Sequence, residues 1–296
     1  MHGAARAYRP WSPPPLRMTV LVLLVVLTGC SAFSLAWSYV DSVLVDRVDD
    51  WVALKPAQRS DLQSQLEPWL DRIAVERMPG YTEFLRAAAL RTRSELTGAD
   101  VQWAYRGAKK RYEALMGDAI DGWLASVLAD TDQDQRRYLR QRMQTENAAY
   151  RERYVDVSHR ASQRALAERM IDFIESWTGP LDVHQTQLLY RGVRELPDTS
   201  AEWYRYRTRM QAGLLALLRR DAEAAEVAAW MRGWWVDRAA LRPHERAAFD
   251  RFRAGLIDLL TEFAGTLTPL QRLAIGRRLR GIANELESIH FQTVRG

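Results

Sequence analysis

The sequence predicts an all-α protein, a multi-helix bundle-like or helical-array domain behind an N-terminal lipoprotein signal peptide. Three observations carry the fold class. Apolar residues recur every three or four positions in long runs, the spacing of one helix face. A short helix-opening motif built around proline returns several times. No segment alternates with period two over a useful length, and the hairpin dipeptides Asn-Gly and Asp-Gly are nearly absent, Asp121-Gly122 falling inside a helical pattern.

The chain opens on a leader. Arg6, Arg9 and Arg17 precede the apolar core Val20–Leu27 with no acidic residue among them, the layout of a secretory signal. A bilayer span needs about 20 apolar residues, more than this core supplies. Met18–Val40 is uncharged, so a tilted single span is the competing reading. Met18 as an alternative start would discard all three arginines. Leu27-Thr28-Gly29-Cys30 looks like the lipobox of a bacterial lipoprotein: an aliphatic residue, two small ones, then the cysteine that receives diacylglycerol and palmitate. On that expectation residues 1–29 are a signal peptide that is removed. Residues 30–38 are then the lipidated Cys30 and a short tether, and residues 39–296 an all-helical periplasmic domain. Ser31 stands where an aspartate would resemble inner-membrane retention. The expected address is therefore the outer membrane, facing the periplasm, with the bilayer itself as first partner.

Composition narrows the partners. Lys and Arg number 42 against 37 Asp and Glu, a net charge of +5. Three of those arginines lie in the leader, so the remainder carries only a small positive excess and nucleic acid is not an expected partner. Cys30 is the chain's single cysteine. Once lipidated, it leaves no disulfide and no thiolate metal site, and packing alone must hold the domain.

Helical patterning begins near Tyr39. Phe33, Leu35, Trp37 and Tyr39 either rest at the headgroup level or cap the first helix of the core. Leu54-Lys55-Pro56-Ala57-Gln58-Arg59 recurs as Leu241-Arg242-Pro243-His244-Glu245-Arg246 and as Leu267-Thr268-Pro269-Leu270-Gln271-Arg272. Looser copies start at Leu96 and Leu181. Each reads as a helix start, with proline pre-set for the first position and Gln or Glu reaching back to the cap. Thr199 with Glu202 predicts another capping box, opening Trp203–Arg219. Pro68, inside 57–76, should kink or break its helix. Pro79, Pro180 and Pro197 punctuate periodic segments, and Thr178-Gly179-Pro180 marks a weak candidate boundary. Val101, Tyr105, Ala108, Tyr112 and Leu115 line one long helix, and Ile275, Leu279, Ile282, Leu286 and Ile289 another. About ten helices are expected.

The lipobox, the aromatic segment after it, Leu54–Arg59, Met78-Pro79-Gly80-Tyr81 and Leu267–Arg272 together resemble an uncharacterised proteobacterial lipoprotein family carrying the domain of unknown function numbered 6279. The likeness spans essentially the whole mature chain and departs at Trp69-Leu70-Asp71-Arg72, where a Trp-His-Arg-like run belongs. That family has no established activity. The helix-opening motif is also similar to that of small periplasmic stress chaperones.

The sequence carries binding candidates and no catalytic signature. Neither G-x-S-x-G, H-E-x-x-H nor a phosphate-cradling glycine loop occurs. Glu175, in Phe173-Ile174-Glu175-Ser176-Trp177, resembles the acid of helical lytic transglycosylases, but the companion motifs are missing. The expected role is thus non-enzymatic binding or scaffolding, with a chaperone and then a peptidoglycan-acting enzyme as alternatives. Glu287 and His290 have the Glu-x-x-His spacing of di-iron bundles with only Asp156 and His159 as a partial mate, so no metal and no cofactor are expected. Arg106, Lys109, Lys110 and Arg111 cluster on one helix, Arg136, Arg137 and Arg140 on another, Arg277, Arg278 and Arg280 on a third. Such clusters are solvated faces or contacts to anionic headgroups or an acidic envelope protein. Trp230 and Trp234 share a face, in the core or at a partner groove.

Overall fold

The computed structural model describes residues 37–295, so the expected signal peptide and the expected lipobox residues Leu27, Thr28, Gly29 and Cys30 lie outside it. No strand occurs among the described residues. Helices α1 (Val40–Val52), α2 (Pro56–Arg72), α3 (Met78–Arg91), α4 (Gly98–Ala119), α5 (Ala125–Ala129) and α6 (Gln133–Tyr154) form the first half. The second half is α7 (His159–Thr178), α8 (Val183–Glu195), α9 (Ser200–Arg219), α10 (Ala224–Trp235), α11 (Pro243–Gly265) and α12 (Pro269–Arg295).

Two helices run on through π turns. Ile73–Arg77 joins α2 to α3 and Ile120–Leu124 joins α4 to α5. Pro68 therefore does not break its helix: α2 continues to Arg72, and the wider π turn follows one turn later. Pro79 likewise sits near the start of α3 within a continuing rod, not between helices. Thr199 makes no side-chain cap for α9. Asp198 does that work, its carboxylate accepting from Ser200 N at 2.8 Å. The turn at Gly179 (φ 79°) divides nothing, because α7 and α8 on either side of it share one apolar cluster with α11, including Met170, Leu189 and Phe263.

The recurring motif does more than start helices. Gln58 and Gln135, each at the third position of its helix, exchange amides: Gln135 Nε2 donates to Gln58 Oε1 at 2.7 Å and Gln58 Nε2 to Gln135 Oε1 at 3.3 Å. Gln135 also donates to the Ala53 carbonyl and Gln58 to that of Asp130, each just ahead of the partner's helix. The second half repeats the device. Gln185 and Gln271 exchange amides at 2.9 and 3.0 Å, and they also donate to the Thr266 and Pro180 carbonyls. Two helix N-termini are thus clasped together in each half. Between them stands a helix opened by a carboxylate: Asp100 on α4, facing Arg91, and Glu245 on α11, bound by Arg209.

α12 closes the two halves onto each other. It runs antiparallel along α3, with His290 against Ala74 at one end and Gly276 against Thr92 at the other. Arg86 holds Glu287 through paired bonds of 2.9 and 2.7 Å midway.

Candidate functional site

The tryptophan group sits in the core. Trp234 is buried with Tyr206, Met210 and Leu214, and Tyr206 Oη donates to its carbonyl at 3.1 Å. Burial pushes the Tyr206 hydroxyl up to about 12. Trp230 lies over Gly213 and donates Nε1 to the Met210 carbonyl at 3.1 Å. Trp234 is thereby a core residue, and Trp230 packs on the edge of the same cluster, partly buried. A Cβ at position 213 would stand 2.0 Å from the Trp230 ring. Gly213→Ala is therefore expected to cost about 1–3 kcal/mol by overpacking. Gly233, on the neighbouring helix, has open space beside it, and Gly233→Ala should gain about 0.5–1 kcal/mol. Urea unfolding of the two variants checks the opposite signs.

The Glu-x-x-His pairs are also accounted for. Glu287 binds Arg86, and the His290 ring meets the Ala74 carbonyl at 3.0 Å. Asp156 pairs with Arg151 and His159 with Asp198. Among the described residues no group of three or more His, Cys, Asp or Glu is placed to hold a metal ion. Glu175 accepts the Leu181 amide at 3.0 Å, so its carboxylate ties the α7–α8 turn.

The four basic residues of α4 separate by direction. Lys109 turns to Glu113 one helical turn on. Arg111 is a structural residue: it donates to the Gly80 carbonyl at 2.9 Å and the Gly107 carbonyl at 3.1 Å, and its guanidinium lies 4.1 Å from the Phe84 ring centre. Burial pulls its pKa down. Phe84 in turn packs on Trp103 at 4.8 Å, and Arg91 covers the far face of that stack at 3.7 Å from Trp103. The order Arg91, Trp103, Phe84, Arg111 is a ladder of cations and rings joining α3 to α4. Gly107 permits it, since a Cβ there would stand 2.2 Å from Phe84.

Arg106 and Lys110, four residues apart and so on one face, are left at the rim of a recess of about 390 Å³ over this ladder, with Glu83 and Ala87 across it. Arg106 reaches only Gln102, at 3.2 Å, and Lys110 has no ion-pair or hydrogen-bond partner among the described residues. Elsewhere Arg136 pairs with Asp221 and Arg137 with Asp134, while Arg278 donates to the Ser176 carbonyl and lies over Trp177. The sequence pointed to α4 but not to Phe84, Trp103 or Glu83. The i,i+4 spacing of Arg106 and Lys110 was the available signal.

A second recess of about 210 Å³, wholly apolar, is lined by Phe173, Trp177, Leu260 and Ile275 among others. No helix among the described residues is long and apolar enough to cross a membrane.

A family model described as a family of unknown function, DUF6279, matches residues 50–232. The match runs from the end of α1 through most of α10, so it includes the recess on α3 and α4. No curated protein and no solved structure matches.

Proposed function

Because the chain belongs to the DUF6279 family, whose function is unknown, we propose its role from its own residues. It is a lipoprotein anchored in the outer membrane through Cys30, facing the periplasm, and works there as a non-enzymatic binding or scaffolding module for another envelope protein. The leader and the Leu27–Cys30 pattern support the anchor. The observation that carries the binding reading is the α3–α4 recess. Arg106 and Lys110 stand there with no carboxylate holding them, above a floor that the ring ladder keeps rigid. Two solvated cations on a fixed frame suit an acidic side chain of a partner, steering its approach and fixing its register.

In-cell crosslinking of the lipidated protein, with a photoactivatable residue replacing Ala87, tests this. One or two envelope proteins should be captured at high yield. Capture should fall about tenfold or more in Arg106→Glu/Lys110→Glu, the equivalent of about 1.4 kcal/mol of lost affinity. Undiminished capture in that variant places the contact elsewhere. A broad spread of outer-membrane clients would replace the scaffold with a chaperone. A Cys30→Ala form that still reaches the outer membrane in full would remove the anchor.

A further inference from the structure

Five exposed apolar side chains lie on the segments that meet where the chain comes into the described fold. Trp37 packs at once against the cluster of α1 with α2 and against the one that α12 makes with α3 and the first π turn. Beside it, Tyr39 just ahead of α1 is 59% and Val43 on α1 55% exposed, one turn apart, the Val43 amide bonding to the Tyr39 carbonyl. On the other side, the contact of His290 with Ala74 lays the last turns of α12 against the first π turn. Val75, next to Ala74, is 41% exposed. Phe291, next to His290, is 51% exposed, and Val294, one turn beyond it, 57%. Single exposed apolar residues need no explanation. Five of them on three segments that meet at one end of the array do.

We infer that this end of the array lies on the bilayer, with Tyr39, Val43, Val75, Phe291 and Val294 seated at the boundary between headgroups and acyl chains. The inference rests on the Cys30 anchor proposed above, and the length of chain ahead of Trp37 selects the occupant. Cys30 stands seven residues before Trp37, a reach of about 25 Å at full extension. An apolar end held that close to a membrane meets lipid before it meets any protein. Tyrosine and aliphatic side chains are the types favoured at that depth. Asp41, Glu76 and Arg295 border the set, so no strong preference for anionic lipid arises. The placement also orients the recess. Phe84 follows Val75 by nine residues along a continuing helical rod, which lifts it about 14 Å from that end. Arg106 and Lys110, which line the recess with Phe84, then stand about that far along the rod from the seated end.

Amide hydrogen exchange on the full lipidated protein in vesicles of phosphatidylethanolamine with phosphatidylglycerol tests the seating against the unlipidated Cys30→Ser chain in solution. Residues 39–43 and 291–294 should exchange about fivefold more slowly on the vesicle, while residues 84–110 should not change. Lipidated Val43→Asp/Phe291→Asp/Val294→Asp should still float with the vesicles and lose that protection. If the lipidated protein floats and these segments exchange as they do in solution, the seating is wrong and the anchor stands. If the protein neither carries lipid nor floats, the anchor fails and the seating with it. Protection that requires phosphatidylglycerol would overturn the apolar contact in favour of a basic one.

Discussion

Arg207→Met is expected to destabilise the fold by about 3–5 kcal/mol near pH 7.5 and by less as the pH falls. Arg207, on α9, is buried, and so is Glu146 on α6, which Arg142 bridges at 3.2 Å. The Arg207 guanidinium lies 5.7 Å from the Tyr150 ring, and Asn147 beside them donates to Gln211 at 2.6 Å. Burial is the largest influence on both charges. It pushes the Glu146 carboxyl up, Arg142 and Arg207 drawing it back, and it pulls the Arg207 guanidinium down, Glu146 drawing it back. Removing Arg207 takes away one of those attractions, so the Glu146 pKa rises further. A carboxyl raised in the folded state contributes stability that is complete below its unfolded pKa and lost as pH rises through its folded one. In the variant that loss continues to higher pH. Unfolding curves of the two proteins should therefore separate at neutral pH and converge toward the ordinary carboxylate range. Urea titrations across that range measure this. Arg207→Met/Glu146→Gln should regain part of the loss, because the buried carboxylate is gone, although Arg142 gives up its ion pair with it. A penalty independent of pH would mean that Arg207 matters only for packing.

Helix starts were legible because they are local. Proline at the first position and an acceptor at the third, as at Pro56 and Gln58 or Pro269 and Gln271, lie within four residues of each other, and the structure opens α2 and α12 there. The pairing of those same glutamines was not legible, since Gln58 meets a partner 77 positions away and Gln185 one 86 away. Nothing in the spacing says that two N-termini will be brought together. The α4 basic run shows the same limit at shorter range. Arg106, Lys109, Lys110 and Arg111 read as one cluster, but helical rotation sends Arg111 inward onto Phe84 and Lys109 toward Glu113. Only Arg106 and Lys110 stay together at the rim. Which rings would floor that recess depends on α3 lying against α4, and Gly107 allows that approach without announcing it. Thr199 misled for a related reason: Asp198 beside it is the stronger acceptor and takes the cap.

Breaking the second glutamine clasp is expected to cost about 2–3 kcal/mol, and the two sides should fail together. Gln185 and Gln271 are both buried, and each amide satisfies its partner and one backbone carbonyl. Gln185→Met keeps the volume but strands the Thr266 carbonyl and half of the Gln271 amide without a partner. Buried groups so orphaned cost about 1–3 kcal/mol each, more than an average hydrogen bond gives. Gln271→Met strands the Pro180 carbonyl and the Gln185 amide in the same way. In the double variant neither orphaned amide remains, so its loss should be smaller than the two single losses combined. A coupling of about 1–2 kcal/mol in the cycle would express that. Gln58 gives the internal control. It is half-buried but its partner Gln135 is buried, so Gln58→Met strands one amide only and should cost about 1–2 kcal/mol. Simple additivity at Gln185 and Gln271 would show that each glutamine acts only as its own helix's cap. Strong coupling would make the clasp the element that binds the start of α8 to the start of α12, and through α12 the second half of the fold to α3 and the recess it helps to form.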